Sequence, residues 1–233
     1  MKSPPRDMSA EVVRQQFGLK HFVDSGQYRQ FIYGLQWGDP RQDVHLVEVV
    51  NRFMLPFFSS QSTVVEIGAG GGRWSRELIG RAGRLILVDG IPEFETAIRH
   101  HFHCARTEFL VSTNGLLSPI TDATIDFVFS FDTFVHFHRD LFDRYVASIS
   151  RILKPGGNFC LHHARHYENS EFNPQCFQYR ADDEVACLLA QNKMQILDVL
   201  SFRGGFGSRL VRAQKPHLDS FSSAELHSPQ PVN

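Results

Sequence analysis

Histidines recur at the predicted ends of two buried strands in the second half of the sequence. His136 lies in the run FDTFVHF, and His162 and His163 close the run NFCLHHA. Because an unperturbed histidine titrates at a pH of about 6.5, each of the three is a candidate general base. Neighbouring side chains of a strand point to opposite faces, so we expect only one of His162 and His163 to reach a pocket. The alternative for His136 is that it caps a helix or packs against a ligand.

These histidines also raise the question of a metal site, since His166 follows closely. Imidazole suits several transition metals, but protein sites usually add carboxylate or thiolate ligands at regular spacing. No such spacing accompanies these histidines, and the four cysteines contain no CxxC pair. We therefore expect no metal, and we expect reduced thiols of the kind that cytoplasmic proteins contain.

A glycine-rich turn precedes the histidines in the stretch VVEIGAGGGRW, residues 64–74. Gly68 and Gly70 fill the first two places of the dinucleotide fingerprint, but the third place falls on Arg73. Glu66 stands before the turn, where a carboxylate is unfavourable beside a pyrophosphate and favourable beside a cation. The stretch therefore favours a cationic cofactor over a dinucleotide. The alternative is a plain tight turn between a strand and a helix.

The composition is that of an ordinary globular domain. The chain has 233 residues, 42% hydrophobic and 21% charged, with a formal net charge of −1. This balance argues against a general attraction to nucleic acid or to an anionic membrane. No apolar run is long enough to span a bilayer, and the polar, proline-containing start does not resemble a signal peptide. We expect a cytoplasmic protein, monomeric or homodimeric, with no nucleic-acid or membrane partner.

Strand-like and helix-like runs alternate along most of the chain. This alternation predicts an α/β fold with a Rossmann-like, doubly wound, mainly parallel seven-stranded sheet and an antiparallel C-terminal hairpin. We expect a helical N-terminal extension or lid over 1–60, one domain over 61–215 and a flexible tail over 216–233. The predicted strands are 63–68, 84–90, 107–112, 123–132, 158–164 and two around the glycine turn at 203–207. The predicted helices are 43–58, 72–83, 91–103 and 181–193, together with an amphipathic helix in 138–157 that Pro155 and the glycine pair stop.

Four motifs in a fixed order carry a resemblance to a known family. They are VVEIGAGGGRWSREL, LILVDG, STNGLLSPITDATIDFVFSFDTFVHF and ISRILKPGGNFCLHHA. Together they resemble the class I S-adenosylmethionine-dependent methyltransferases, especially the small-molecule, type 11/25-like group. The resemblance is strong over 63–161 and looser to about residue 215. It implies an enzyme that uses S-adenosyl-L-methionine as its cofactor.

The resemblance also implies the residues that bind this cofactor. Asp89, followed by Gly90, matches the acid that accepts hydrogen bonds from both ribose hydroxyls, and a carboxylate can take two donors at once. Asn114 stands where the family usually has an Asp that contacts the adenine amino group, with Gly115 as a small neighbour. An ordinary Asn-Gly turn is the alternative for this pair. The implied residues at the methionine end are Glu66, Gly68, Ala69, Gly70, Phe131 and Asp132.

Residues outside the common core are expected to select a small-molecule acceptor. Tyr33 and Trp37 lie in the aromatic run YRQFIYGLQWGDP, and Arg165 and His166 begin a long loop. Aromatic packing against the sheet is the alternative for the first two. The long loop suits a polar or aromatic acceptor, because long connections in compact domains are usually functional.

The expected reaction is O-methylation with His136 as the first choice of base and His162 or His163 as substitutes. N-methylation is the alternative, because nitrogen acceptors need less help from a base. A nicotinamide-dependent oxidoreductase is disfavoured by Arg73 and by the lack of a Tyr-x-x-x-Lys pair. A catalytically silent, methyltransferase-like partner subunit is disfavoured by the intact glycines, Asp89 and His136.

Overall fold

The computed structural model describes residue 22 and residues 25–165, 177–202 and 207–217. Seven strands of this part form one sheet in the order β3-β2-β1-β4-β5-β7-β6. Strands β1 to β5 are parallel, and β7 runs antiparallel to both β5 and β6. The predicted Rossmann-like sheet and its antiparallel hairpin are confirmed. The strands are β1 Thr63–Ile67, β2 Arg84–Asp89, β3 Thr107–Val111, β4 Ile125–Ser130, β5 Leu153–Ala164, β6 Gln195–Phe202 and β7 Ser208–Gln214.

The helices that flank the sheet are shorter than the sequence pattern suggests. Helix α2 spans four residues of the predicted 72–83, because Gly72 and Gly80 on either side adopt left-handed φ angles of 96° and 79°. Across residues 22, 25–165, 177–202 and 207–217, no helix is long and apolar enough to cross a membrane. The α-helices are α1 Val44–Glu48, α2 Ser75–Leu78, α3 Glu93–His101, α4 Arg139–Ile152 and α5 Asp182–Gln191, and α1 continues as the π-helical Val49–Met54.

Strand β5 begins at Leu153, whereas the pattern predicts a helix that continues until Pro155 and the glycine pair stop it. Helix α4 ends at Ile152 because Pro155 has no N–H to donate and Gly156 takes a left-handed φ of 80°. The pairing of β4 with β5 shifts register between Ile125 and Phe127. This irregularity absorbs the KPGG residues, so the turn that was predicted to precede the strand lies inside it.

Both faces of the sheet are covered, which explains why its central strands are almost continuous apolar runs. Val65 and Ile67 of β1 pack in the cluster that contains α4 and α5, whereas Val64 packs with α1 and the π-helical stretch. Burial of each such side chain contributes about 1.5–3 kcal/mol. Because side chains alternate along a strand, Glu66 lies on the same face as Val64, where it is 2% exposed.

Residues 27–41, here called the N-terminal segment, lie across the glycine turn and α2. Asp39 pairs with the buried Arg76, and Arg41 pairs with the buried Glu77 and donates to the Arg76 carbonyl oxygen at 3.1 Å. Two 3-10 turns, Gln27–Arg29 and Leu35–Trp37, form the regular part of the segment. These ion pairs hold it against the carboxyl edge of the sheet.

Substitution of Gly71 by Ala is expected to loosen the N-terminal segment. A Cβ at Gly71 would lie 2.8 Å from the backbone nitrogen of Tyr33 and nearer still to its side chain, so the segment must shift. Hydrogen exchange of peptides from residues 27–41 should become faster, while exchange in β2 stays unchanged. Gly90→Ala is the matched control, because its Cβ would make only ordinary contacts at 3.7 Å. Equal exchange in the two variants would contradict this account.

Candidate active site

The candidate site lies where the strand order reverses, between β1 and β4. Ligands of open α/β sheets bind outside the carboxyl ends of the strands at such a point. The glycine turn follows β1, Asp89 ends β2, Phe131 and Asp132 follow β4, and His162 lies near the end of β5. The topology therefore brings these predicted residues to one edge of the sheet.

The glycines of the turn serve different purposes. A Cβ at Gly68 would collide with the Thr133 side chain, and one at Gly71 would collide with Tyr33. These two glycines therefore allow the backbone of the turn to approach neighbouring elements of the chain. Gly70 differs, because a Cβ there would meet no atom within 4 Å. It faces open space, and its N–H donates to Asp89 Oδ2 at 2.8 Å.

Asp89 holds the glycine turn to the loop that follows β2. Its Oδ2 accepts from Gly70, and its Oδ1 accepts from the Ile91 N–H at 3.0 Å. Burial raises the pKa of Asp89 to about 6, and the N–H groups of Gly70, Ile91 and Gly90 work in the opposite direction. The carboxylate keeps lone pairs beyond those two bonds, so it remains able to accept hydroxyl donors.

Glu66 is a buried acid below the turn. Its Oε2 has no hydrogen-bond partner among the described residues. Burial raises the pKa of Glu66 to about 8; the Ser75 hydroxyl opposes this shift, and the charge of Asp89 adds to it. An unpaired buried acceptor costs free energy unless a ligand or water supplies a donor. Glu66 thus marks a place where a bound donor or cation would be stabilised.

Replacement of Glu66 by Gln is expected to change how stability depends on pH. The folded pKa of Glu66 lies near 8, above the ordinary value of 4.5. Between these values the unfolded chain releases a proton that the folded chain keeps, so stability falls as pH rises. Gln has no such proton. Denaturant unfolding should show that the free energy of unfolding falls more between pH 5 and pH 8 in the wild type than in Glu66→Gln, by a few kcal/mol at most. Equal falls in the two proteins would contradict the assigned burial.

Asp132 and His162 form a hydrogen-bonded pair beside the glycine turn. His162 Nδ1 lies 3.0 Å from Asp132 Oδ1, and the Asp132 backbone N–H points at the same Nδ1 at 3.3 Å, to which it would donate in the other tautomer. The carboxylate is the nearer and charged partner, so we assign the proton to Nδ1 and the lone pair to Nε2. The ring stacks on Phe131 at 4.1 Å, and its Nε2 has no partner among the described residues.

Arg73 lies on the other side of Asp132. Its NH2 donates to Asp132 Oδ2 at 2.5 Å. Burial works to raise the pKa of Asp132, but the hydrogen bond and charge of His162, together with Arg73, outweigh it and hold this pKa below its ordinary value. Asp132 therefore stays ionised and can orient the imidazole of His162.

The other two predicted bases lie elsewhere. His136 sits in the 3-10 turn Phe134–His136 and contacts the Phe177 ring edge-on at 5.2 Å. His163 is 1% exposed and lies 3.7 Å from Asp182, at the start of α5. Burial lowers the pKa of His163 to about 4, and the charge of Asp182 opposes this. The expected division of the two β5 histidines between opposite faces is present.

Asn114 and Gly115 form a turn next to α4. Asn114 Oδ1 accepts from the Leu116 N–H at 3.0 Å, as an Asn-Gly turn requires, and Asn114 also lines an open cleft of about 250 Å³. A Cβ at Gly115 would lie 3.0 Å from the Arg144 Cβ, so close packing against α4 accounts for this glycine. Contact of either residue with adenine stays a prediction. Ala69, the other small residue of the predicted cofactor site, is buried in the glycine turn after β1.

The predicted acceptor residues are spread around the site. Tyr33 packs on the edge of Trp37 at 5.3 Å, and the Trp37 ring is 52% exposed. Arg165 follows β5 and pairs with Asp182 at 3.1 Å. His166 lies outside the described residues. No group of three or more His, Cys, Asp or Glu side chains in the described part of the chain is placed to hold a metal ion.

Sequence reasoning missed three contributors. Arg73 was noted only because it breaks a glycine pattern, Thr133 passed unnoticed, and the histidines of the RHHFHC run, residues 99–104, were not among the predicted site residues. In the structure His101 Nε2 contacts the Tyr28 carbonyl oxygen and so touches the N-terminal segment. The position of Arg73 between the glycine turn and Trp74 was a usable signal, since an arginine that is buried with such a turn requires acceptors close by.

The sheet order, the glycine turn after β1 and the acid that ends β2 define a Rossmann-like methyltransferase fold. The family described as "Methyltransferase domain" matches residues 65–161. Over residues 65–161 the chain therefore matches a methyltransferase domain, and S-adenosylmethionine is the cofactor that this match supports. No curated protein sequence matches the chain significantly.

Solved structures support the fold. A methyltransferase in complex with the Haloferax volcanii Trm112 methyltransferase activator has a TM-score of 0.64 and 22% identity, over 84% of this chain and 97% of that one. The Burkholderia thailandensis 1,6-didemethyltoxoflavin-N1-methyltransferase, with 1,6-didemethyltoxoflavin and S-adenosylhomocysteine bound, has a TM-score of 0.62 and 18% identity, over 93% and 92%. An Aquifex aeolicus SAM-dependent methyltransferase has a TM-score of 0.60 and 19% identity, over 82% of this chain and 97% of that one.

The residues of the site fit S-adenosylmethionine. Gly70 leaves open space beside the turn, Asp89 offers carboxylate lone pairs, and Glu66 presents a buried oxygen that no described residue binds. A cofactor that combines hydroxyl donors with a cationic amino-acid part would satisfy these groups. A pyrophosphate would instead meet two acids.

Proposed function

We propose that the protein methylates an oxygen of a small-molecule acceptor and that His162 is the general base. The observation that supports this assignment is the Asp132–His162 pair at the switch point of the sheet. His162 contacts the carboxylate of Asp132, which follows β4, whereas His163 faces Asp182 at the start of α5. His136 remains the competing base, because the resemblance to the class I methyltransferases implies a histidine at this place after the fourth strand.

The cofactor supplies a methyl group on a positively charged sulfonium. We propose that Glu66, Gly68, Ala69 and Gly70 hold its methionine part and that Asp89 accepts from its ribose. Asn114 and Gly115 are proposed to contact the adenine, and Gly90 leaves room beside the ribose. Holding the two reactants in line can account for about 7–11 kcal/mol of the barrier.

The proposed base acts on the acceptor hydroxyl. As the oxygen gains the methyl group, its proton passes to the lone pair on His162 Nε2. Asp132 accepts the Nδ1–H and stabilises the imidazolium that forms, the role that an oriented carboxylate has in other His–Asp pairs. Such a base contributes about 10²–10⁴-fold to the rate. Phe131 fixes the ring by stacking on it.

The acceptor is proposed to be a small molecule that contacts Tyr33, Trp37, Arg165 and His166. The exposed Trp37 ring supports this, because a large aromatic surface beside a site suits a flat ligand. We propose that the N-terminal segment serves as the lid. Its ion pairs to the buried Arg76 and Glu77 of α2 support this proposal, because they tie the segment to the helix that follows the glycine turn.

N-methylation is the alternative reaction. The Burkholderia neighbour is named 1,6-didemethyltoxoflavin-N1-methyltransferase, and this chain spans 92% of it. A nitrogen acceptor would need less from His162, so the two reactions differ in their dependence on that residue. A protein activator, as in the Haloferax complex, is the alternative to independent action. We propose a cytoplasmic monomer or homodimer with no nucleic-acid partner, consistent with the net charge of −1.

The proposed function is tested by binding and then by turnover. Calorimetry with S-adenosylmethionine and S-adenosylhomocysteine should show binding at micromolar concentrations, and a dinucleotide should not bind. A screen of hydroxyl and amine acceptors with methyl-labelled cofactor, followed by location of the methyl group, identifies the acceptor atom. Absence of cofactor binding at high micromolar concentration would sink the proposal, and methyl on nitrogen alone would replace it with the alternative.

A further inference from the structure

Arg73 connects the N-terminal segment to the Asp132–His162 pair. Its NH1 donates to the carbonyl oxygens of Gly34 at 3.4 Å and Trp37 at 3.3 Å, and its NH2 donates to Asp132 Oδ2. We propose that Arg73 is a positioning residue: it binds the N-terminal segment where the segment lies against the glycine turn, and it holds Asp132 in the orientation that aligns His162. This inference rests on the proposed function.

The chemistry of the side chain suits this double role. A guanidinium presents five N–H donors in a planar fork, so it can serve acceptors on two sides at once. Arg73 is 5% exposed, and its guanidinium lies 5.3 Å from the Trp74 ring and 5.8 Å from the Phe131 ring. A buried cation needs such partners. Lysine, with a compact ammonium, would not reach both sides.

The two carbonyl oxygens that Arg73 binds on the N-terminal segment belong to a folded turn. The Gly34 carbonyl also accepts from the Trp37 N–H at 3.1 Å, which closes the 3-10 turn Leu35–Trp37. Arg73 therefore binds the two ends of a formed turn. If the turn opened or left the glycine loop, Arg73 would lose both of these acceptors while it kept Asp132.

Asp132, the hydrogen-bond acceptor on the other side of Arg73, has a strained backbone conformation. Asp132 has a φ of 55°, a left-handed conformation that is costly for a residue other than glycine. Arg73 binds its Oδ2 and His162 binds its Oδ1, so the carboxylate is held at both oxygens. Loss of Arg73 would leave only the imidazole to fix its orientation.

The experiment measures the tautomer of His162 and the closure of the N-terminal segment separately, and neither measurement requires turnover. Long-range ¹H–¹⁵N NMR reports which nitrogen of His162 carries the proton, with His162→Asn for assignment. Hydrogen exchange of peptides from 27–41 reports closure of the segment. Arg73→Met should change His162 from mainly Nδ1–H to a mixture of tautomers, and it should speed exchange of the segment by about tenfold or more.

Two further variants sharpen the result. Arg73→Lys keeps a cation for Asp132 but cannot also bind the carbonyl oxygens, so it should preserve the tautomer and still speed exchange. Arg81→Met removes an exposed arginine that pairs with Glu77, and it should leave the His162 tautomer unchanged. Should Arg73→Met fail to fold, the Lys variant carries the exchange test.

The proposal is overturned if Arg73→Met leaves either the tautomer or the exchange of the segment at its wild-type value, or if the Lys variant protects the segment fully. Failure of the proposed function looks different. Full turnover in His162→Asn would remove His162 as the base, yet the two NMR and exchange readouts would still respond to Arg73.

Discussion

His162→Asn is expected to lower kcat by about 10²–10⁴-fold, the range that loss of a general base produces. The affinity for S-adenosylhomocysteine should change much less than kcat, because the proposed contacts at Asp89, Glu66 and the glycine turn are kept and the ring touches the predicted methionine end only through Phe131 and Asp132. The measurement is single-turnover methyl transfer to the acceptor found in the screen, with calorimetry of the same variant.

His136→Asn is the matched comparison, since it makes the same chemical change at the competing histidine. A large loss of kcat in this variant, with near-normal turnover in His162→Asn, would transfer the role of base to His136. Small losses in both variants would favour a nitrogen acceptor that is already deprotonated. The pair of variants therefore separates the two bases and also the two reactions.

Asp89→Ala is expected to weaken cofactor binding by about 100-fold or more. The variant loses the proposed ribose contact and also the two backbone hydrogen bonds that fasten Gly70 and Ile91. Hydrogen bonds to a charged group contribute about 1.5–3 kcal/mol each, so loss of two is enough for this change. Calorimetric titration with S-adenosylhomocysteine measures it.

The control for Asp89 is Glu108→Ala, which removes an exposed acid paired with Arg84 and should leave binding unchanged. The pH dependence adds a second check. Since the pKa of Asp89 is about 6, the wild-type affinity for S-adenosylhomocysteine should fall as the pH drops below that value and the Asp89 carboxylate becomes protonated. Unchanged affinity in Asp89→Ala would remove the ribose assignment.

The fold was largely predictable because it depends on local patterns. Apolar runs of strand length, separated by helical periodicity and glycine or proline breaks, predict alternating elements wherever they occur. The boundaries were less predictable. The KPGG turn lies inside β5, since a register shift between β4 and β5 absorbs it, and such a shift depends on pairing between distant residues.

The sequence by itself determined the glycine turn, the acids at Glu66 and Asp89 and the two histidines on opposite faces of β5. Only the tertiary structure decided which histidine meets a carboxylate near the turn. Pairing of Ser130 with Leu161 sets the ends of β4 and β5 side by side, so Asp132 reaches His162 across thirty positions of the chain. Register, burial and the approach of the N-terminal segment to Arg73 are properties of the assembled sheet, because the contacting residues are remote in sequence.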